Sequence, residues 1–173
     1  RETIKVCNNG QEQKRKCEVI PWDIKEAGKG GYEHFMLKEI HEQPRAIDET
    51  LRGYLNQVEP QINLGIDIPG NIEDVLLLGC GSSYHATLVG KYILETVVGL
   101  RTRVELASEF NHASAVLKNT WVIGITQSGE TADTLMALKK AKQLGGQTLA
   151  ITNVVGSSVT RLVEQCFFTR AGP

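Results

Sequence analysis

Residues 126–131, Thr-Gln-Ser-Gly-Glu-Thr, place hydroxyls at Thr126, Ser128 and Thr131 and a carboxamide at Gln127 around the glycine at 129. Those groups are neutral hydrogen-bond donors, suited to the oxygens of an anion. Before them stands a β-rich run, Trp121, Val122, Ile123 and Ile125; after them Leu135 and Leu138 share one helical face. The order is therefore strand, tight turn, helix N-terminus. The first backbone N–H groups of such a helix have no internal partner and carry the positive end of the macrodipole, so they attract an anion. The anion this chemistry points to is a phosphate ester.

A second turn has the same design. Leu78-Gly79-Cys80-Gly81-Ser82-Ser83 follows a short apolar run, Val75 to Leu78, and precedes a helical stripe through Leu88, Val89, Tyr92, Ile93 and Val97 that stops at Gly99. Further strands are expected at Arg103–Ala107, Trp121–Thr126, Thr148–Thr152 and Cys166–Thr169, with a helix ending near Gly145-Gly146. Alternation of this kind predicts an α/β fold, a doubly wound five-stranded parallel sheet. In the flavodoxin-like order 2-1-3-4-5 the first and third strands are neighbours and ligands sit outside their carboxyl ends. Both turns then face one crevice: Ser82 with Thr126, Gln127, Ser128 and Thr131 are the candidate contacts, and Gly81, Ser83 and Gly129 supply supporting backbone.

The plainer reading is that Ser82 and Ser128 only cap helices. A dinucleotide fingerprint is disfavoured, because Tyr84 stands where its third glycine or alanine belongs, and a P-loop is excluded because Gly-Lys-Ser/Thr does not occur. Glu130 and Asp133 fall in the first turn of the central helix, where the dipole stabilises a carboxylate without any catalytic role. His85 is read as a helix-surface residue, and none of His34, His41, His85 and His112 is assigned to a metal. Gly156-Ser157-Ser158 reads as the cap of a short helix through Val159, Leu162 and Val163, away from the crevice.

Upstream, Asn9-Gly10 is a two-residue hairpin signal within residues 3–20, and that turn sets Cys7 opposite Glu12. Residues 21–31 read as a linker. Tyr32, Phe35, Met36 and Ile40 form a helical stripe, Gln43-Pro44 is expected to break it, and a second helix carries Ile47, Leu51, Tyr54, Leu55 and Val58. Cys7, Cys17, Cys80 and Cys166 show no metal-binding spacing and are read as reduced thiols.

Lys plus Arg number 19 against 20 for Asp plus Glu in 173 residues, so no broad positive field exists to hold nucleic acid or an anionic membrane. No apolar run approaches the roughly 20 residues of a membrane span and no signal peptide opens the chain, which predicts a cytoplasmic location. A chain that starts at Arg1 and stops at Pro173 straight after a strand is expected to be part of a longer protein.

The motifs LLLGCGSSYHA, VELASEF, TQSGETADTL and ITNVVGSSVTR resemble the sugar isomerase (SIS) domain family and, more narrowly, the isomerizing glutamine–fructose-6-phosphate aminotransferase family. The stretch GGYEHFMLKEIHEQPRAI is similar to that family's passage from glutaminase to isomerase domain. The resemblance implies that residues 1–20 end a glutaminase domain, 21–31 link, and 32–173 form the first SIS domain, with a helical lead-in at 32–58 and a sheet domain at 71–173. It also implies that Ser82, Thr126, Gln127, Ser128 and Thr131 hold the phosphate of fructose 6-phosphate, with serine and threonine exchanged for the family's usual residues at 82 and 126. Catalytic groups of the family lie in its second SIS half and at the start of its glutaminase domain, so no catalytic residue is expected here. No cofactor is implied. The implied partners are fructose 6-phosphate or glucosamine 6-phosphate and a second copy in a homodimer. The rival from another class is a SIS sensor of a transcription regulator, which would carry a basic helix-turn-helix ahead of the domain; residues 1–43 show a hairpin and a linker instead.

Overall fold

Continuous apolar runs such as Val75–Leu78 must be covered on both faces, and parallel pairing does this. The structure, a computed structural model, describes residues 5–13, 28–55, 61–110, 112 and 117–172. A small hairpin joins β1 (Cys7–Asn8) and β2 (Gln11–Glu12), with Cys7 opposite Glu12 and positive φ at Asn9 and Gly10, as the Asn-Gly turn requires. Residues 3, 4 and 14–20, Cys17 among them, lie outside the described residues; Cys7, Cys80 and Cys166 are free thiols.

Five parallel strands make the main sheet: β3 (Asp74–Gly79), β4 (Thr102–Leu106), β5 (Thr120–Ile125), β6 (Gln147–Thr152) and β7 (Gln165–Phe168), in the order β4-β3-β5-β6-β7. This is the order expected, and every strand lies within one residue of its expected bounds. The period-2 alternation divides the core into two layers. Leu76, Leu78, Val122 and Ala150 pack with Ala137, Leu138 and Ala141 of α4 (Ala132–Gln143) and with Phe110 of α3 (Ala107–Phe110). Val75, Leu77, Trp121, Ile123 and Leu149 form the other layer, on the side of α2 (Ser82–Ile93) and the π-helical turn Leu94–Val98 that ends at left-handed Gly99. Each fully buried leucine or valine contributes about 1.5–3 kcal/mol.

One expectation needs correction. One helix, α1 (Phe35–Arg52), replaces the expected pair, with Pro44 inside it. Proline in a helix interior costs about 3 kcal/mol. Ion pairs that run across and beyond the site, Lys38–Glu42, Arg45–Glu42, Arg45–Glu49 and Arg52–Asp48, recover part of this at about 0.2–0.5 kcal/mol each. Contacts with β7 hold the far end: Tyr54 stacks on Phe167 at 4.4 Å, its hydroxyl donates to the Phe168 carbonyl at 2.8 Å, and Arg170 N donates to Thr50 Oγ1 at 2.9 Å. The helix also stops short of Tyr54 and Leu55; Leu55 instead bridges to Ile62.

α2 docks on the sheet through small residues: Thr87 is buried, and a Cβ on Gly90 would sit 3.2 Å from Leu77 Cδ1. Its apolar stripe points outward, leaving Tyr92 70% and Val97 78% exposed, and on α1 Met36, Ile40 and Ile47 are exposed as well. Two apolar faces of this kind predict self-association. Light scattering is expected to return a dimer mass; a clean monomer at high protein concentration would contradict it.

Candidate functional site

The parallel register brings Gly79 at the end of β3 opposite Ile125 at the end of β5. The turns 80–83 and 126–131 therefore leave adjacent strands on one edge of the sheet and feed α2 and α4. Gly79 is needed because the first turn of α2 lies against it: an added Cβ would be 2.9 Å from the Ser83 carbonyl carbon. Cys80, half-buried at the start of the first turn, faces α4, where the Thr134 hydroxyl lies 4.0 Å from its sulfur.

The N-caps are Gly81 and Thr131, and neither makes a side-chain cap bond. This differs from the plain reading in which Ser82 and Ser128 cap the helices. Ser82 is the first residue of α2 and is exposed, with Ser83 half-buried behind it. Ser128 lies three residues ahead of the Thr131 cap, and its Oγ accepts the Glu130 N–H at 3.2 Å. The leading amides of both helices are thus left without a side-chain acceptor at the place where the dipoles converge.

Thr126 is buried, and its Oγ1 accepts the Gly129 N–H at 3.3 Å and pairs with Thr131 Oγ1 at 3.2 Å. Where Thr131 donates in that pair, the Thr126 proton is left for another acceptor. Gln127 is exposed, but its carbonyl receives two donors, Asn153 N at 3.0 Å and Thr152 Oγ1 at 3.3 Å. Since C=O and N–H of a trans peptide point in opposite directions, these donors aim the Ser128 N–H away from the β6 loop. The Gly129 carbonyl is held in the same way by Val159 N at 3.0 Å.

The sequence reading missed the role of the segment after β6. Residues 156–158 were expected away from the crevice, yet this turn and the 3₁₀ helix Ser158–Arg161 that follows form the wall of the anion turn. Gly129 has φ +67°, and a Cβ there would fall 2.1 Å from Ser157 Oγ. Glu130 precedes the cap instead of lying in the helix, and its Oε1 accepts the Ser158 N–H at 2.7 Å. Ser158, through side chain and backbone, holds the Glu130 carboxyl below its ordinary value, with Arg161 adding to the effect. The glycine at 129 was the signal that could have shown this, since it permits the close approach of Ser157.

Other candidates stay apart. Asp133 is in the first turn of α4, His85 and His112 are exposed, and His41 stacks on Tyr32. Among the described residues no cluster of His, Cys, Asp and Glu could hold a metal ion, and no helix is long and apolar enough to cross a membrane. Two shallow depressions, of about 300 and 340 Å³, lie along α1 and share no residue with the two turns.

A parallel sheet with its order reversed between β3 and β5, and an uncapped helix leaving each of those strands, defines a doubly wound α/β domain with its switch point between those strands. The SIS domain model matches residues 71–173, and the chain belongs to the SIS domain family. The isomerizing glutamine–fructose-6-phosphate aminotransferase of Clostridium acetobutylicum is 44% identical over 171 residues, covering 96% of this chain and 28% of that protein. The same enzyme of Aquifex aeolicus is 45% identical over 177 residues, covering 99% and 29%. The chain thus spans less than a third of the length of these curated relatives. Among solved structures, the C-terminal domain of glucosamine-fructose-6-phosphate aminotransferase from Francisella tularensis matches with a TM-score of 0.78 and 36% identity, over 84% of this chain and 42% of that one.

Two measurements test the built turn. Gly129→Ala combines a left-handed backbone with a collision at Ser157, and is expected to destabilise by about 2–4 kcal/mol, read as a lowered melting temperature. A carboxylate whose pKa is lower in the folded state than the ordinary 4.5 adds stability above that value and loses it as the pH falls through the lowered one. The Ser158 amide resonance should therefore titrate with a midpoint below 4.5; a midpoint at or above that value would contradict the Glu130–Ser158 contact.

Proposed function

We propose that the crevice between residues 81–83 and 126–131 holds the phosphate of a sugar phosphate. Ser82, Thr126, Gln127, Ser128 and Thr131 supply donors, with the backbone of Gly81, Ser83 and Gly129 in support. The observation that carries this reading is the β3–β5 register, which sets two uncapped helix N-termini side by side. A dianion there is met by amide dipoles and hydroxyls, a neutral cradle that needs no cation.

The relatives' names point to the sugar: fructose 6-phosphate, which with glutamine gives glucosamine 6-phosphate and glutamate. In this reading the chain is the phosphate-holding first SIS half of such an aminotransferase, and the chemistry is completed by groups outside residues 1–173. Two features agree with a binding role. Glu130, the carboxylate within the turn, is engaged by Ser158 N–H, and His85 is exposed on α2 with its ring edge-on to Tyr84 at 6.0 Å. No acid–base pair is assembled from these groups.

Calorimetric titration with fructose 6-phosphate, with fructose and inorganic phosphate as controls, tests the reading. Binding of the ester without binding of fructose supports it; equal behaviour of ester and fructose removes the phosphate from the argument. Ser128→Ala is expected to weaken the ester by about 1.5–3 kcal/mol, the scale of a hydrogen bond to a charged group. An unchanged affinity takes Ser128 out of the site.

A further inference from the structure

One residue outside the crevice makes contacts that the phosphate reading does not use. Asn153 follows β6 and is half-buried. Its backbone N–H donates to the Gln127 carbonyl at 3.0 Å, inside the anion turn. Its side chain turns to the segment after β7: Oδ1 accepts from Thr169 Oγ1 at 3.1 Å and from Ala171 N at 2.9 Å, and Nδ2 donates to the Gly172 carbonyl at 2.7 Å. The orientation of the carboxamide is fixed by these partners, because a backbone N–H can only donate and a carbonyl can only accept.

The neighbours reinforce the same link. Thr152 Oγ1 also donates to the Gln127 carbonyl, and Thr152 O accepts the Thr169 N–H at 2.9 Å. Beyond the segment, Arg170 N donates to Thr50 Oγ1 of α1. Hydrogen bonds therefore run from the peptide that aims the Ser128 N–H, through residues 152–153, to residues 169–172 and α1. No side chain besides Asn153 joins residues 169, 171 and 172 at once among the described residues.

We infer that Asn153 is a positioning residue that couples occupancy of the anion turn to the placement of residues 169–172, the last described segment of the chain. The inference rests on the phosphate reading of that turn. A ligand drawing on the Ser128 N–H restrains the 127–128 peptide, the restraint passes to the Asn153 backbone, and the carboxamide carries it to its three partners beyond β7, Thr169, Ala171 and Gly172. By reciprocity, whatever holds residues 169–172 in place strengthens binding at the turn.

Hydrogen exchange on the chain, with and without fructose 6-phosphate, tests this. In the wild type the ester should slow exchange of the amides at 127–131 and also of those at 169–172. In Asn153→Ala the slowing at 127–131 should remain and that at 169–172 should disappear, while Asn153→Asp, which keeps the Oδ1 acceptor for Thr169 and Ala171, should restore part of it. A residue that merely stabilised the fold would change basal exchange without changing the ligand's effect at the distant segment. Protection at 127–131 with none at 169–172 in the wild type overturns the coupling and leaves the phosphate reading standing. Ligand-induced protection of 169–172 that persists unaltered in Asn153→Ala also overturns it. If the ester protects neither segment, the phosphate reading fails and takes this inference with it.

Discussion

Parallel pairing of β3 with β5, from Asp74 opposite Thr120 to Gly79 opposite Ile125, is the constraint on which the rest of the molecule depends. Parallel neighbours need crossovers, and each crossover here begins with a turn that leaves the carboxyl edge of the sheet. Because both strands end in register, their turns emerge side by side. Two helix N-termini then share one small volume, and their leading amides lack side-chain caps. This placement is set by the backbone register before any particular side chain is considered.

The same sheet explains how the turn keeps its shape. Backbone groups that face the β6 side are held by Asn153, Thr152 and Val159, and groups on the other side of each peptide are thereby aimed at the crevice. Gly129 permits the close approach of Ser157, while the Glu130 carboxylate secures the amide of Ser158. The turn is thus a surface loop whose conformation is set by buried partners.

Outward-facing apolar stripes on α1 and α2 mark a different economy. α2 approaches the sheet through Thr87 and Gly90, which allows close packing at the backbone and reserves its larger side chains for the opposite face. A lone domain gains nothing from exposed Tyr92, Ile93 and Val97. The chain belongs to the SIS domain family and spans under a third of the aminotransferase relatives' length.

Much of this was determined by the sequence by itself. Apolar runs bounded by glycine and hydroxyl turns specify strands and helix starts locally, so the five strands, their order and the residues of both turns were legible from pattern and topology rules. Other features depended on contacts between distant segments. Pro44 reads as a helix break because its own bond is lost, yet ion pairs along α1 and docking of its end on β7 keep the helix continuous. Ser82 and Ser128 read as caps because serine commonly caps, but Gly81 and Thr131 occupy those positions once the turn closes. The 156–158 turn reads as remote because it follows another strand, and Asn153 carries no signal of its own in the sequence. Only the lateral packing of β6 against β5 brings them to the anion turn, since hydrogen bonds between neighbouring strands, and not proximity in sequence, decide which loops touch.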